Sequence, residues 1–266
     1  MRLDDLRESS NLEEVRGGRG FGGRGIGIGG LGAGGTVVVL LISMALGVDP
    51  RALLDLGGPA ETAGGPSYEQ ADPQSPDPQR RFVAQILAST EDSWSEFFRS
   101  AVRPYEAPHL VLYRGAVQSG CGFAEAAVGP FYCPADARVF LDLSFFQELS
   151  ERFRAPGDFA AAYVIAHEVG HHVQNLLGIT RRVEAQASAQ RQGANSLSVR
   201  LELQADCFAG VWAHDADRRL RILEAGDLEE GIAAAGAVGD DRLQRQTRGR
   251  VVPDSFTHGS SAQRVA

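Results

Sequence analysis

Apolar and polar positions divide this chain into stretches with different periods. Phe159 to Ala166 is a continuous apolar run rich in Ala, with Tyr163, Val164 and Ile165 in its second half, and it predicts a buried helix. Val199 to Trp212 is a second strongly apolar segment at helical spacing. Phe82 to Leu87, followed by Trp94, Phe97 and Phe98, predicts another helix, whereas Pro108 to Tyr113 and Ala137 to Leu143 predict strands. Ser144 is placed to cap a helix from Phe145 to Phe153, and Gly157 and Asp158 to open the helix that follows. Residues 181–192 and 215–248 are rich in Arg, Ala and Glu and read as helix or loop over a cleft, with residues 227–230 as an N-terminal cap. The expected fold is α+β, mainly helical with a small sheet.

The N-terminal third follows a different pattern. Residues 1–25 are charged and then Gly/Arg-rich, residues 26–48 carry no charge, residues 49–79 are a Pro/Gly-rich linker, and residues 80–266 are left for one domain. As a helix, the uncharged run would extend about 35 Å, enough to cross the hydrocarbon core of a bilayer. It is expected to be a single transmembrane helix, with a glycine-rich linker or a cleaved signal peptide as alternatives. Arg16, Arg19 and Arg24 precede it, so the positive-inside rule places the N-terminus in the cytoplasm and the domain outside it.

Candidate chemistry sits at the end of the Ala-rich helix. His167 and His171 are four residues apart and share a helical face, so both imidazoles can hold one Zn²⁺, with Glu168 beside them as a base. Burying these groups is costly unless something pairs with them, and a metal ion would satisfy all three. Zinc needs a third protein ligand. The pattern HExxHxxGxxH is excluded, because Gln174 and Leu177 stand where its Gly and last His would be. Glu202 and Asp206 are also four apart, on an apolar helix, so Glu202 is the expected third ligand. Asp206 is the expected acceptor of a ligand histidine's other ring N–H. An exposed carboxylate pair beside Arg200 is the competing reading.

HExxH with a downstream ExxxD resembles the gluzincin peptidases. The segments Ala166–Gln174 and Glu202–Trp212, with the opening Met1–Asn11, are similar to the bacterial neutral zinc metallopeptidase family over nearly the whole chain. The resemblance implies a zincin-like metalloprotease domain and a zinc-dependent endopeptidase. In that chemistry Glu168 would take a proton from the attacking water and return it to the leaving amine. Ser255–Arg264 is similar to the Thr-His…Arg segment of membrane-bound gluzincins. That likeness implies that His258 stabilises the oxyanion and Arg264 pairs with a site carboxylate. A helix cap at Thr257 or Ser260, with His258 incidental, stays open beside it. In zincins the edge strand before the catalytic helix accepts the peptide, so residues 137–143 are the expected substrate rail, an ordinary core strand being the other reading.

Charge and cysteines refine the setting. A formal net charge of −8 disfavours a nucleic-acid partner, leaving protein or peptide substrates and a membrane as expected partners. Cys121 and Cys133 bracket a short Gly/Pro-bearing loop and are expected to form a disulfide in an oxidising compartment, which fits a domain outside the cytoplasm of a bacterial cell. Two metal-binding thiolates would be the alternative. Cys207 is expected as a core residue, His172 to face away from the site or pack on the second helix, and His109 and His214 to be non-ligands. The rival functions are a non-catalytic, zinc-stabilised, membrane-tethered binding protein and a metal-free interaction protein.

Overall fold

The first element is a strand, in a segment where a separate leader was expected. The computed structural model describes residues 1–15, 68–125, 129–186 and 190–266. In chain order the elements are β1 (Leu12–Val15), β2 (Tyr68–Gln70), α1 (Pro78–Ser100), β3 (His109–Tyr113), β4 (Ala116–Ser119), β5 (Gly122–Glu125), β6 (Phe131–Cys133) and β7 (Arg138–Asp142). Helices follow: α2 (Phe145–Glu151), α3 (Asp158–Leu176), α4 (Ile179–Glu184), α5 (Leu197–Leu220), α6 (Asp227–Ala237), α7 (Asp240–Arg248) and the short α8 (Ser261–Arg264). This is the expected mixture of many helices and a small sheet.

The main sheet runs β2-β1-β3-β7-β6, with β1, β3 and β7 parallel and both edge strands antiparallel to their neighbours. Leu110, Leu112, Val139 and Leu141 pack on the helical core, while Val111, Tyr113 and Phe140 pack beneath the β4–β5 hairpin on Val117 and Ala124. With both faces covered, β3 and β7 read as unbroken apolar runs without a period of two. β7 lies between β3 and β6, which corrects the expected rail at residues 137–143 to a core strand. The edge on that side is β6, and Cys133 at its end is bridged to Cys121, as expected.

Helix α1 starts where its sequence says it should: the Asp77 side chain accepts from the Gln79 N–H, and Pro78 takes the first helical position. Trp212 of α5 is fully buried and donates to Ser89 Oγ of α1 at 3.1 Å, tying these helices together. Helix α3 crosses α5 at Gly170. A Cβ there would stand 3.1 Å from the Ala205 carbonyl oxygen and 3.2 Å from its Cα, so the close approach of the two backbones leaves little room for a side chain.

Several expectations are corrected. Met1–Val15 and Tyr68–Ala266 form one compact unit, so the first fifteen residues belong to the domain, which does not begin at residue 80. Leu12 is 1% exposed in the core, and Leu12–Glu14 pairs with Leu110–Leu112. One strand of a sheet cannot lie across a bilayer from its neighbour. The apolar run 26–48 lies outside the described residues, among which no helix is long and apolar enough to cross a membrane. Cys207 is exposed rather than part of the core. Ser144 stands at the start of α2 without capping it. Its hydroxyl donates instead to Asp142 Oδ1 at 2.7 Å.

Candidate metal centre

Two helices bring the donor atoms together. The Nε2 atoms of His167 and His171 on α3 are 3.1 Å apart, and the Glu202 carboxylate on α5 lies 3.3 Å from the first and 3.5 Å from the second. These separations match the edge of a tetrahedron with bonds near 2.0–2.1 Å, roughly 3.3 Å. Each histidine's other nitrogen has its own acceptor, at 2.8 Å on Asp206 Oδ1 for His167 and at 2.9 Å on Gln174 Oε1 for His171. With Nδ1–H donating outward, both Nε2 lone pairs converge on one point beside an anionic oxygen. The set fits zinc, with His167, His171 and Glu202 as the residues that would hold it.

Electrostatics point the same way. Burial works against a charged His167, but hydrogen bonds to the Asp206 and Glu202 carboxylates outweigh it and push the pKa up to about 9. Burial also opposes ionisation of Glu202, yet hydrogen bonds from both histidines hold its pKa well below the usual carboxylate range. Asp206 is lowered likewise, burial being outweighed by His167 and Arg264. The position favours positive charge between ionised carboxylates, as a divalent cation requires. Glu168 is 8% exposed, and its pKa is raised chiefly by that burial, in the direction that suits a base exchanging protons near neutral pH.

Arg264 braces the arrangement. Its guanidinium donates Nε to Asp206 Oδ2 at 3.0 Å and Nη2 to Oδ1 at 2.7 Å, the two-pronged geometry that arginine forms with carboxylates. The Tyr163 hydroxyl donates to the same Oδ1. Asp206 thus accepts from His167, Tyr163 and Arg264, which fixes the ring that presents Nε2. Ser260 caps α8 through a capping box with Gln263 and so places Arg264 four residues later. The cap and the His258 side chain coexist.

His258 lines the same cavity as His167, Glu168, His171 and Glu202, a space of about 650 Å³. Its Nδ1 donates to Asp240 Oδ1 at 3.2 Å, while Asp240 Oδ2 accepts the backbone N–H groups of Thr257, His258 and Gly259. The Asp240 hydrogen bond raises the His258 pKa against the effect of burial. In its protonated form, which Asp240 favours, His258 has a second ring N–H that can donate to a developing negative charge.

His167, Glu168, His171, Glu202, Asp206, His258 and Arg264, all singled out from the sequence, are brought together here. Tyr163, Gln174 and Asp240 were missed. Tyr163 is one helical turn before His167, and Gln174 three residues after His171, so helix periodicity carried a signal for both; nothing local marks Asp240. His172 faces away from the site, as expected, but towards β6 rather than onto the second helix, and it accepts a hydrogen bond from Tyr132. His109 pairs with Glu13, far from the ligands in the fold, in keeping with a non-ligand.

A family model described as "Putative neutral zinc metallopeptidase" matches residues 1–266. The chain is 47% identical to the uncharacterized protein YpfJ of Escherichia coli K12, covering 100% of this chain and 93% of that protein. It is 44% identical to the uncharacterized proteins Rv2575 of Mycobacterium tuberculosis and Mb2605 of Mycobacterium bovis, in each case over 84% of this chain and 78% of the relative. No solved structure matches.

Proposed function

Since the chain belongs to the neutral zinc metallopeptidase family, whose cofactor is zinc, we propose that it is an endopeptidase hydrolysing bonds in protein or peptide substrates. The observation that carries this reading is the convergence of His167, His171 and Glu202 on one point, with Glu168 lining the same cavity. Zinc bound there supplies Lewis acidity towards a carbonyl oxygen and makes water a better nucleophile. The protein's own groups do the rest. Glu168, buried and with a raised pKa, takes the proton of the attacking water and passes it to the leaving amine. His258, whose protonated form Asp240 favours, donates to the oxyanion as the carbonyl becomes tetrahedral. The outer edge of β6, whose Phe131 and Tyr132 line the cavity, accepts the substrate as an added strand.

A position outside the cytoplasm is supported by the Cys121–Cys133 bridge. The uncharged run 26–48 serves in this reading to hold the protein at a membrane. Because β1 is part of the domain's sheet, Met1–Val15 goes on the same side as the metal site.

The base assignment is tested by Glu168→Gln in purified, zinc-loaded protein with a denatured protein as substrate. Cleavage should fall by about 10³-fold or more with zinc content unchanged. Full cleavage by the variant would remove Glu168 from the reaction. A wild-type protein that binds zinc but cleaves nothing would favour the zinc-stabilised binding protein.

A further inference from the structure

His172 follows a metal ligand in sequence but faces the opposite way, towards the sheet. It is 2% exposed, and its Nε2–H donates to the Glu106 carbonyl at 2.6 Å, so Nδ1 is left as an acceptor. The Tyr132 hydroxyl donates to that Nδ1 at 3.1 Å and accepts from Asn175 Nδ2 at 3.0 Å. All the donors and acceptors here agree in direction. The Tyr132 and Tyr105 rings pack edge-on against the imidazole, with centroids at 5.5 and 6.1 Å. Tyr132 is the middle residue of β6, a strand of three residues with β7 on one side and no strand partner on the other among the described residues. The next residue, Cys133, is bonded to Cys121.

So short an edge strand has few ladder hydrogen bonds to hold it, yet it lines the cavity in which a peptide would lie. A rail free to shift must be ordered when the peptide adds to it, and that ordering is taken out of the peptide's binding. His172 and Asn175 belong to the same helix as His167, Glu168 and His171. Their grip on Tyr132 therefore measures the strand's position directly from the catalytic helix.

We propose that His172 is a positioning residue which, through the Tyr132 hydroxyl and with Asn175, holds the outer edge of β6 at a fixed offset from the metal ligands so that an added peptide strand is delivered in register. The proposal rests on the peptidase reading, which is what makes that edge a substrate rail.

Tyr132→Phe tests it, since the ring packing stays and both hydrogen bonds go. In the full-length, zinc-loaded protein, amide hydrogen exchange across Phe131–Cys133 should quicken by about 10-fold. Zinc should remain at wild-type stoichiometry. With a quenched fluorescent peptide pool as probe, KM should rise about 5- to 10-fold while kcat stays within about 2-fold. Asn175→Ala, which removes one of the two bonds, should give a smaller change of the same kind. Unchanged exchange in Tyr132→Phe would overturn the proposal, as would zinc loss or a fall in kcat alone, either of which would place the network's effect at the metal. If wild-type protein cleaves no peptide, the peptidase reading fails while the exchange measurement still decides whether His172 holds the strand.

Discussion

Asp240 is the residue whose role was hardest to foresee and whose effect on the chemistry is easiest to measure. It lies 18 positions before His258 and reaches it only because Gly259 brings the chain back, its carbonyl accepting the Asp240 N–H at 2.8 Å. The metal ligands, by contrast, were legible because spacings of four on a helix are local geometry, independent of the rest of the fold. The sign of the Asp240 effect follows from its charge. Its carboxylate raises the His258 pKa from the ordinary 6.5, so His258 remains a donor to higher pH than an unassisted histidine would. Asp240→Asn should move the alkaline limb of kcat/KM to lower pH, with the acid limb unchanged. An unshifted alkaline limb would mean that some other group carries that proton.

Among elements, the α3–α5 crossing decides whether the ligands meet. Both helices were expected from their apolar runs, but the depth of their contact depends on Gly170 having no side chain. Gly170→Ala would press a methyl group against the Ala205 backbone, and backbone yields less readily than a side chain. Denaturant unfolding should show a loss of about 1–3 kcal/mol. Zinc should also bind more weakly, because Glu202 is carried on the helix that is pushed away; a variant as stable as wild type would show that the crossing has slack. The sheet was less legible than the helices. β7 looked like an edge because its sequence position suited one, but a strand covered on both faces has no alternating pattern to report which neighbours it pairs with. The true edge, β6, is only three residues long and hardly registers as a strand in the sequence.

On the scale of the whole molecule, the opening residues change the picture most. Their charged composition suggested a segment apart from the domain, yet Leu12 is buried in the core and β1 is flanked by β2 and β3. The sequence could not reveal this, because parallel pairing over nearly a hundred residues leaves no local trace. Cysteines placed at the exposed positions Asp5 and Glu229 in a Cys207→Ser background should therefore react with a membrane-impermeant maleimide from the same side of the cell membrane. Labelling of only one of them in intact cells would separate the N-terminal strand from the domain and contradict the sheet. The central claim is that His167, His171 and Glu202 together hold a zinc ion. The most direct test is a crystal structure of zinc-loaded protein with the metal located by anomalous scattering. One zinc ion is expected about 2.0–2.2 Å from His167 Nε2, His171 Nε2 and a Glu202 oxygen; an ion bound elsewhere, or a Glu202 carboxylate out of its reach, would rule out this ligand set.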